Sequence, residues 1–351
     1  MTNKIYAHPG QPQMQVEVIL ASASPVAEAP NIYTIRLRYP RIIHGEIMTH
    51  RVFSRNARSS RAVPVRTMLL ETTTIPFIPW HWGANQKGMQ ASEECNETVW
   101  IQSALMPLDG YAYGHSSDWD GEITEKTGVL REDAWLIARD RAVQSAEAFM
   151  DAGYHKQNVN RLLEPFSWID TLITATDWEN FLHLRDHKDA EPHLQDLARL
   201  VKQAIEECEV QQLAFGQWHL PYITQADVDV LLIESGRLAG ERYASLTGVD
   251  DHVEWLKIIS AARCARISYK PFDGDASYER EIERYNSLVT SERIHASPLE
   301  HQAKPDRQDP DEPNTGKWEY PMLHGNFTGW IQSRKTIPGE SLPGCPRRST
   351  I

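Results

Sequence analysis

The chain has 351 residues, 41% of them hydrophobic, and a formal net charge of −12. That length and apolar content suit one large domain or two ordinary ones, and the acidic balance argues against a protein that coats DNA or RNA, which needs a broad basic face. No run reaches the roughly 18 apolar residues of a membrane span, the opening MTNKIYAHPGQPQ lacks a signal-peptide core, and the four scattered cysteines (Cys95, Cys208, Cys264, Cys345) contain no CxxC pair, so a cytoplasmic protein with free thiols is expected.

Residues 16–21 and 32–38 (IYTIRLR) alternate apolar and polar side chains and predict two strands with one buried face each, the second ended by Pro40. Ile42, Ile43, Ile47 and Met48 then form a helical stripe running toward His50. Residues 64–131 are rich in Gly, Pro and Asp and poor in periodicity, which predicts a loop-rich insertion with little regular structure. Residues 132–153 predict a helix with Trp135, Ile137, Ala138, Ala142, Ala146 and Phe149 on one side and Gly153 as its stop. A strand at 169–176, an amphipathic helix at 190–208 and helices at 253–267 and 278–289 follow. The segment 305–351 is Pro/Gly/Asp-rich and predicts extended chain. Strands and helices without regular βαβ alternation give an α+β fold, read as a single catalytic domain over 1–351. There is no Gly-rich dinucleotide fingerprint and no P-loop.

Residues 49–66, THRVFSRNARSSRAVPVR, hold five arginines (Arg51, Arg55, Arg58, Arg61, Arg66) and no acid. The spacing of Arg51, Arg55 and Arg58 predicts a shared helical face, and Ser59, Ser60 and Arg61 fall where that helix breaks toward Pro64. Serine hydroxyls and backbone amides beside an arginine fork bind phosphate well. A solvated cationic face and a polymer-binding patch are the competing readings of such a run.

The pattern His50-Arg51-x-x-Ser54-x-Asn56-x-x-Ser59-x-Arg61 resembles the RHRxxSxNxxSxR signature of flavin-dependent thymidylate synthases, with Thr49 at the first arginine and Ala57 where an acid is usual. Asn180-Phe-Leu-His-Leu-Arg185 resembles the family's NFLxLR segment, and Arg161 with Pro165 resembles its R-x-x-x-P. Ala265-Arg266-Ile267-Ser268 and Ser297-Pro298-Leu299-Glu300-His301 resemble a segment that precedes the signature in ordinary members but follows it here, which implies a permuted order. Where the family carries an Asn-x-Arg pair for the flavin, this chain has Thr176-Asp177-Trp178-Glu179.

The resemblance implies a flavin-dependent thymidylate synthase-like fold with a mixed or antiparallel sheet. It also implies one-carbon transfer from 5,10-methylenetetrahydrofolate to C5 of a pyrimidine deoxynucleotide, with FAD as hydride carrier and NADPH as reductant. By the same route, Arg185 would act on the pyrimidine, with Ser59, Ser60, Arg61 and Arg161 on its phosphate. His50, Arg51, Asn56, Asn180 and His301 would surround the flavin, and a homotetramer would complete the site. Glu46 stands where ordinary members have Gln; a carboxylate facing the base can accept from an amino group, which keeps dCMP beside dUMP as substrate, and hydroxymethylation beside methylation. Two other classes remain open: a non-catalytic nucleotide-binding homologue and a single-stranded nucleic-acid binder, the latter opposed by the acidic charge. His81, Trp82, His115, His187 and His193 match no metal-ligand spacing.

Overall fold

The alternation in IYTIRLRYP places Ile35, Leu37 and Tyr39 on one face of strand β3 (Ile32–Pro40), all without solvent exposure, and Thr34, Arg36 and Arg38 on the other. The structure, a computed structural model, describes residues 4–102, 126–234, 252–267, 277–289, 295–312, 315–337 and 340. Two compact units make up the chain: Met1–Val63 with Trp168–Ile351, and Pro64–Ser167. The architecture is α+β with antiparallel sheets.

In the first unit the principal sheet runs β1 (Ile5–His8), β2 (Gln11–Ala23), β3, β7 (Trp168–Ala175), β4 (Ser54–Ala57), with β8 (Gln211–Gln212) added in parallel to β2. Directly paired residues of an antiparallel ladder face the same side. Thr34 opposes Thr174, which opposes Ser54, and Leu172 lies between Arg36 and Asn56. One face of the sheet therefore carries hydroxyl, amide and guanidinium groups. The opposite face is apolar and packs on helix α6 (Pro192–Glu207), where Leu194, Leu197, Ala198, Val201 and Ala204 repeat at helical spacing and are buried. Tyr6, paired to Val16 on that face, reaches Glu207 of α6 at 3.2 Å. The polar face is also covered, by α8 (His252–Ala265), the 3-10 turn Ser297–Glu300 and the ladder of β9 (Ala303–Pro305) with β10 (Trp330–Gln332). Burial on both sides leaves only Asp170 of β7 partly exposed.

The strands and long helices fall close to their sequence-based positions; two local readings are corrected. The stripe from Ile42 to Met48 is not one helix: a 3-10 turn, Arg41–Ile43, and a single turn α1 (His44–Ile47) bury Ile43 and Ile47 and leave Ile42 and Met48 at the surface. Arg51, Arg55 and Arg58 do not share a helical face, because residues 54–57 are claimed by the edge of β7 as β4. Segment 305–337 runs through turns and two 3-10 helices, Pro321–Leu323 and Ser333–Thr336, and is held by buried anchors: Phe327 and Trp330 join Ile32, Leu213 and Ala303 in one cluster. Buried Asp306 bonds His324 Nε2 at 2.8 Å and accepts from the Tyr320 amide.

The second unit comprises α2 (Val65–Thr74), the antiparallel pair β5 (Val99–Gln102) and β6 (Lys126–Val129), α3 (Arg131–Asp151), α4 (Lys156–Val159) and a 3-10 helix, Asn160–Phe166. Helix α2 lies in the stretch expected to be loop-rich. It buries Met68, Leu69 and Thr72 on one face, and its three closing threonines return their hydroxyls to the carbonyls of Met68, Leu69 and Leu70 at 2.7–2.9 Å. Phe77 packs edge-on to Trp80 and Trp135, and the Trp135 indole donates to the Phe77 carbonyl at 2.7 Å.

Candidate functional site

Helix α5 (Glu179–Arg185) carries Phe181 and Arg185 one turn apart, so both project to one side. Phe181 is buried with its ring edge against His50 at 5.1 Å, while Arg185 Nε donates to His50 Nε2 at 2.9 Å and Nη2 to Thr49 Oγ1 at 3.1 Å. His50 also stacks on Phe53 (5.6 Å), which packs against Trp178 (4.7 Å). Burial, and then the charges of Arg185 and Arg55, push the His50 imidazole down to about 4. His50 is therefore neutral at pH 7 with its proton on Nδ1, leaving Nε2 free to accept.

Glu46 lies 3.9 Å from Arg185 Nη1, half exposed. Burial and the neighbouring Glu191 raise its carboxyl above the ordinary range, against the pull of Arg185. Thr49 is more than a lost arginine. Its hydroxyl donates to the Glu46 carbonyl at 2.6 Å and accepts from Arg185, so it links the turn to the guanidinium. Arg55 donates to the carbonyls of Ile47, Met48 and His50 at 3.0–3.4 Å, which holds the His50 turn from below.

Residues from distant segments meet again on the polar face of the sheet. Asn56 of β4 is buried and donates to the Cys264 carbonyl at the end of α8 at 3.4 Å. His301 is fully buried, and its Nδ1 lies 2.8 Å from Thr174 Oγ1. His301 Nε2 is buried without a hydrogen-bond partner among the described residues. Burial pushes the His301 ring down to about 3 and the Cys264 thiol well up, so neither is charged at neutral pH. Ser268 lies outside the described residues.

The other expected residues are placed less centrally. Ser60 is buried; Ser59 is exposed and its hydroxyl accepts from the Arg61 amide at 3.3 Å. The turn they occupy is pinned by the Arg58 amide on the Asp170 carbonyl (2.9 Å) and by Arg41 on the Arg58 carbonyl (3.0 Å). Arg51, Arg61 and Asn180 are exposed, the last with its amide facing the Asp177 carboxylate. Arg161 belongs to the second unit, where it pairs with Glu164 at 3.6 Å. Arg66 is also in that unit. The site thus draws together Glu46, His50 and Arg185; Asn56 and His301 share the buried face of the sheet.

Sequence reasoning missed the aromatic support of Phe53, Trp178 and Phe181, and it missed Thr34, Thr174 and His219. Thr34 stood in the polar phase of β3, a usable signal; His219 had none. Among the described residues no group of three or more His, Cys, Asp or Glu could hold a metal ion, and no helix is long and apolar enough to cross a membrane.

No family model and no curated protein matches the chain. Among solved structures it is similar to a flavin-dependent thymidylate synthase at 17% identity and a TM-score of 0.29, over 50% of this chain and 67% of that one. That structure is ThyX from Helicobacter pylori in complex with FAD and dUMP.

Proposed function

We propose that the protein transfers a one-carbon unit to C5 of a pyrimidine deoxynucleotide in a flavin-dependent reaction, with dUMP as substrate. The observation that carries this reading is the bond from Arg185 Nε to His50 Nε2 at 2.9 Å, which joins two segments far apart in the chain. Both resemble parts of one family's site. The third such segment, displaced in chain order, touches the same sheet through Asn56–Cys264 and Thr174–His301.

Attack from C5 of a pyrimidine needs an electron-rich ring, and a fixed positive charge beside N3 favours the ionised form. Of the five N–H groups of the Arg185 guanidinium, two are committed to His50 and Thr49. The Nη1 pair and one Nη2 hydrogen remain for a planar anionic edge. Because His50 is neutral, it orients the guanidinium without adding charge. Cys264 is buried with a raised thiol pKa, which fits a route without a cysteine adduct.

The residues also fit a flavin. His301 Nε2 is an orphaned buried polar atom suited to a heteroaromatic edge, and Arg51, Arg61 and Ser59 are exposed donors for phosphate. Bound FAD supplies hydride transfer, with NADPH as reductant and 5,10-methylenetetrahydrofolate as carbon donor. Arg161 reaches phosphate from a neighbouring subunit in a homotetramer.

A second reading, dCMP as substrate, is favoured by Glu46. Its carboxylate sits beside Arg185 at 3.9 Å, placed to accept from a 4-amino group.

The test is a titration of the purified protein with FAD, followed by dUMP or dCMP, read by flavin fluorescence. Saturable FAD binding, and nucleotide binding lost in Arg185→Met with FAD binding intact, is the expected result. Failure to bind FAD overturns the reading.

A further inference from the structure

Six side chains form one continuous hydrogen-bonded chain through the buried polar face. Gln211 Nε2 donates to Ser22 Oγ at 2.9 Å, and Ser22 Oγ meets His219 Nδ1 at 2.8 Å. His219 Nε2 meets Thr34 Oγ1 at 2.8 Å, Thr34 meets Thr174 at 2.6 Å, and Thr174 meets His301 Nδ1 at 2.8 Å. Ser22, Thr34, Thr174, His219 and His301 all have no exposure, and only Gln211 at the entry is exposed.

The direction of every bond follows from proton counting. Both imidazoles are pushed down to about 3, chiefly by burial, so each carries one N–H at pH 7. Each hydroxyl has one hydrogen to give. With Gln211 donating to Ser22, the serine gives its hydrogen to His219 Nδ1. His219 then donates from Nε2 to Thr34, Thr34 to Thr174, and Thr174 to His301 Nδ1. The one remaining hydrogen sits on His301 Nε2. The opposite direction leaves the Ser22 hydroxyl receiving two hydrogens with no acceptor for its own, inside a dry region where that is costly. Because the entry is an amide, which does not give up its proton, the chain sets a tautomer and does not conduct protons.

We propose that Ser22, His219, Thr34 and Thr174 are positioning residues that lock His301 in the Nε2–H tautomer and present this hydrogen as a directed donor to an acceptor atom, a ring nitrogen or carbonyl oxygen, of a bound planar heterocycle. The identity of that heterocycle rests on the flavin reading above; the tautomer does not. His219 lies outside every segment that carries the family resemblance, and the chain crosses β2, β3 and β7 to reach the orphaned nitrogen.

The experiment is long-range 1H–15N correlation on histidine-labelled protein at neutral pH, with and without FAD. The expected wild-type result is a single Nε2–H tautomer at both His219 and His301. Thr34→Val, close in size to the native residue on a strand, severs the chain in its middle, and His301 then shows both tautomers. His219→Phe does the same; if it fails to fold, Thr34→Val alone decides. An Nδ1–H form or a mixture at wild-type His301, or a single tautomer retained in Thr34→Val, overturns the proposal. Bound FAD is expected to move the His301 Hε2 resonance downfield, and bound FAD without that shift also overturns it. If FAD does not bind, the flavin reading fails while the tautomer result still decides the role of the relay.

Discussion

His219→Gln converts the buried relay into a measurable dependence of stability on pH. His219 has no exposure, and burial, reinforced by His301, pushes it down to about 3, whereas an unfolded histidine titrates near ~6.5. The folded value is depressed, so between those limits the unfolded state holds a proton that the folded state refuses. Stability from the neutral buried ring is complete above about 6.5 and is lost as pH falls toward the folded value, with a slope of about 1.4 kcal/mol per pH unit. Glutamine has no such titration. At pH ~7 the variant is less stable by roughly 1–3 kcal/mol, because the Ser22 and Thr34 hydroxyls lose or strain their bonds. As pH falls below ~6 the wild type alone loses the His219 contribution, and the gap closes by about 1.4 kcal/mol per unit. Carboxylates and the histidines away from the relay act on both proteins and cancel in the difference. Urea denaturation over the pH range ~7 to ~4.5, with linear extrapolation, measures the gap. Parallel curves, with the gap constant across that range, would refute the reasoning.

Three further variants have definite expected outcomes. Arg185→Met removes both a charge that lowers His50 and the donor to its neutral form, so the His50 titration moves up from about 4 toward the ordinary value, read from its ring resonances. The same variant loses on the order of 10²-fold or more in turnover of the pyrimidine nucleotide, the scale of one lost charge-stabilising donor. Asp306→Ala strips His324 of its buried hydrogen-bond partner at 2.8 Å and costs roughly 1–3 kcal/mol in thermal denaturation. Burial alone would raise the Asp306 carboxyl, but His324 and the Tyr320 and Arg307 amides hold it below its ordinary value. Its stabilisation is therefore present above the unfolded carboxylate pKa and is lost as pH falls through the folded one. Glu46→Gln shifts kcat/KM preference from dCMP toward dUMP by roughly tenfold, the worth of one hydrogen bond to a charged group; unchanged selectivity removes Glu46 from the base.

Much of the sheet was legible in the sequence because local pattern and tertiary burial agree there. The alternation of 32–38 becomes β3, the strand expected at 169–176 becomes β7, and the amphipathic helix expected at 190–208 becomes α6. The arginine segment misled because a spacing of three and four residues also fits a strand with turns at either end. Whether Ser54–Ala57 pairs is decided by β7, not by local propensity. Thr49 reads as a missing arginine until the fold brings Arg185 to its hydroxyl. His219 sits in GQWHLPY with no motif around it. Its role comes from β2 and β3 lying side by side, which no periodicity records.

The central claim is tested most directly by incubating the purified protein with dUMP or dCMP, 5,10-methylenetetrahydrofolate, FAD and NADPH and weighing the nucleotide product. The expected result is a nucleotide heavier by one carbon unit, formed only when FAD and the folate are both present and formed at least on the order of 10²-fold more slowly by Arg185→Met. Unchanged nucleotide from folded, flavin-loaded protein with either substrate would contradict the account.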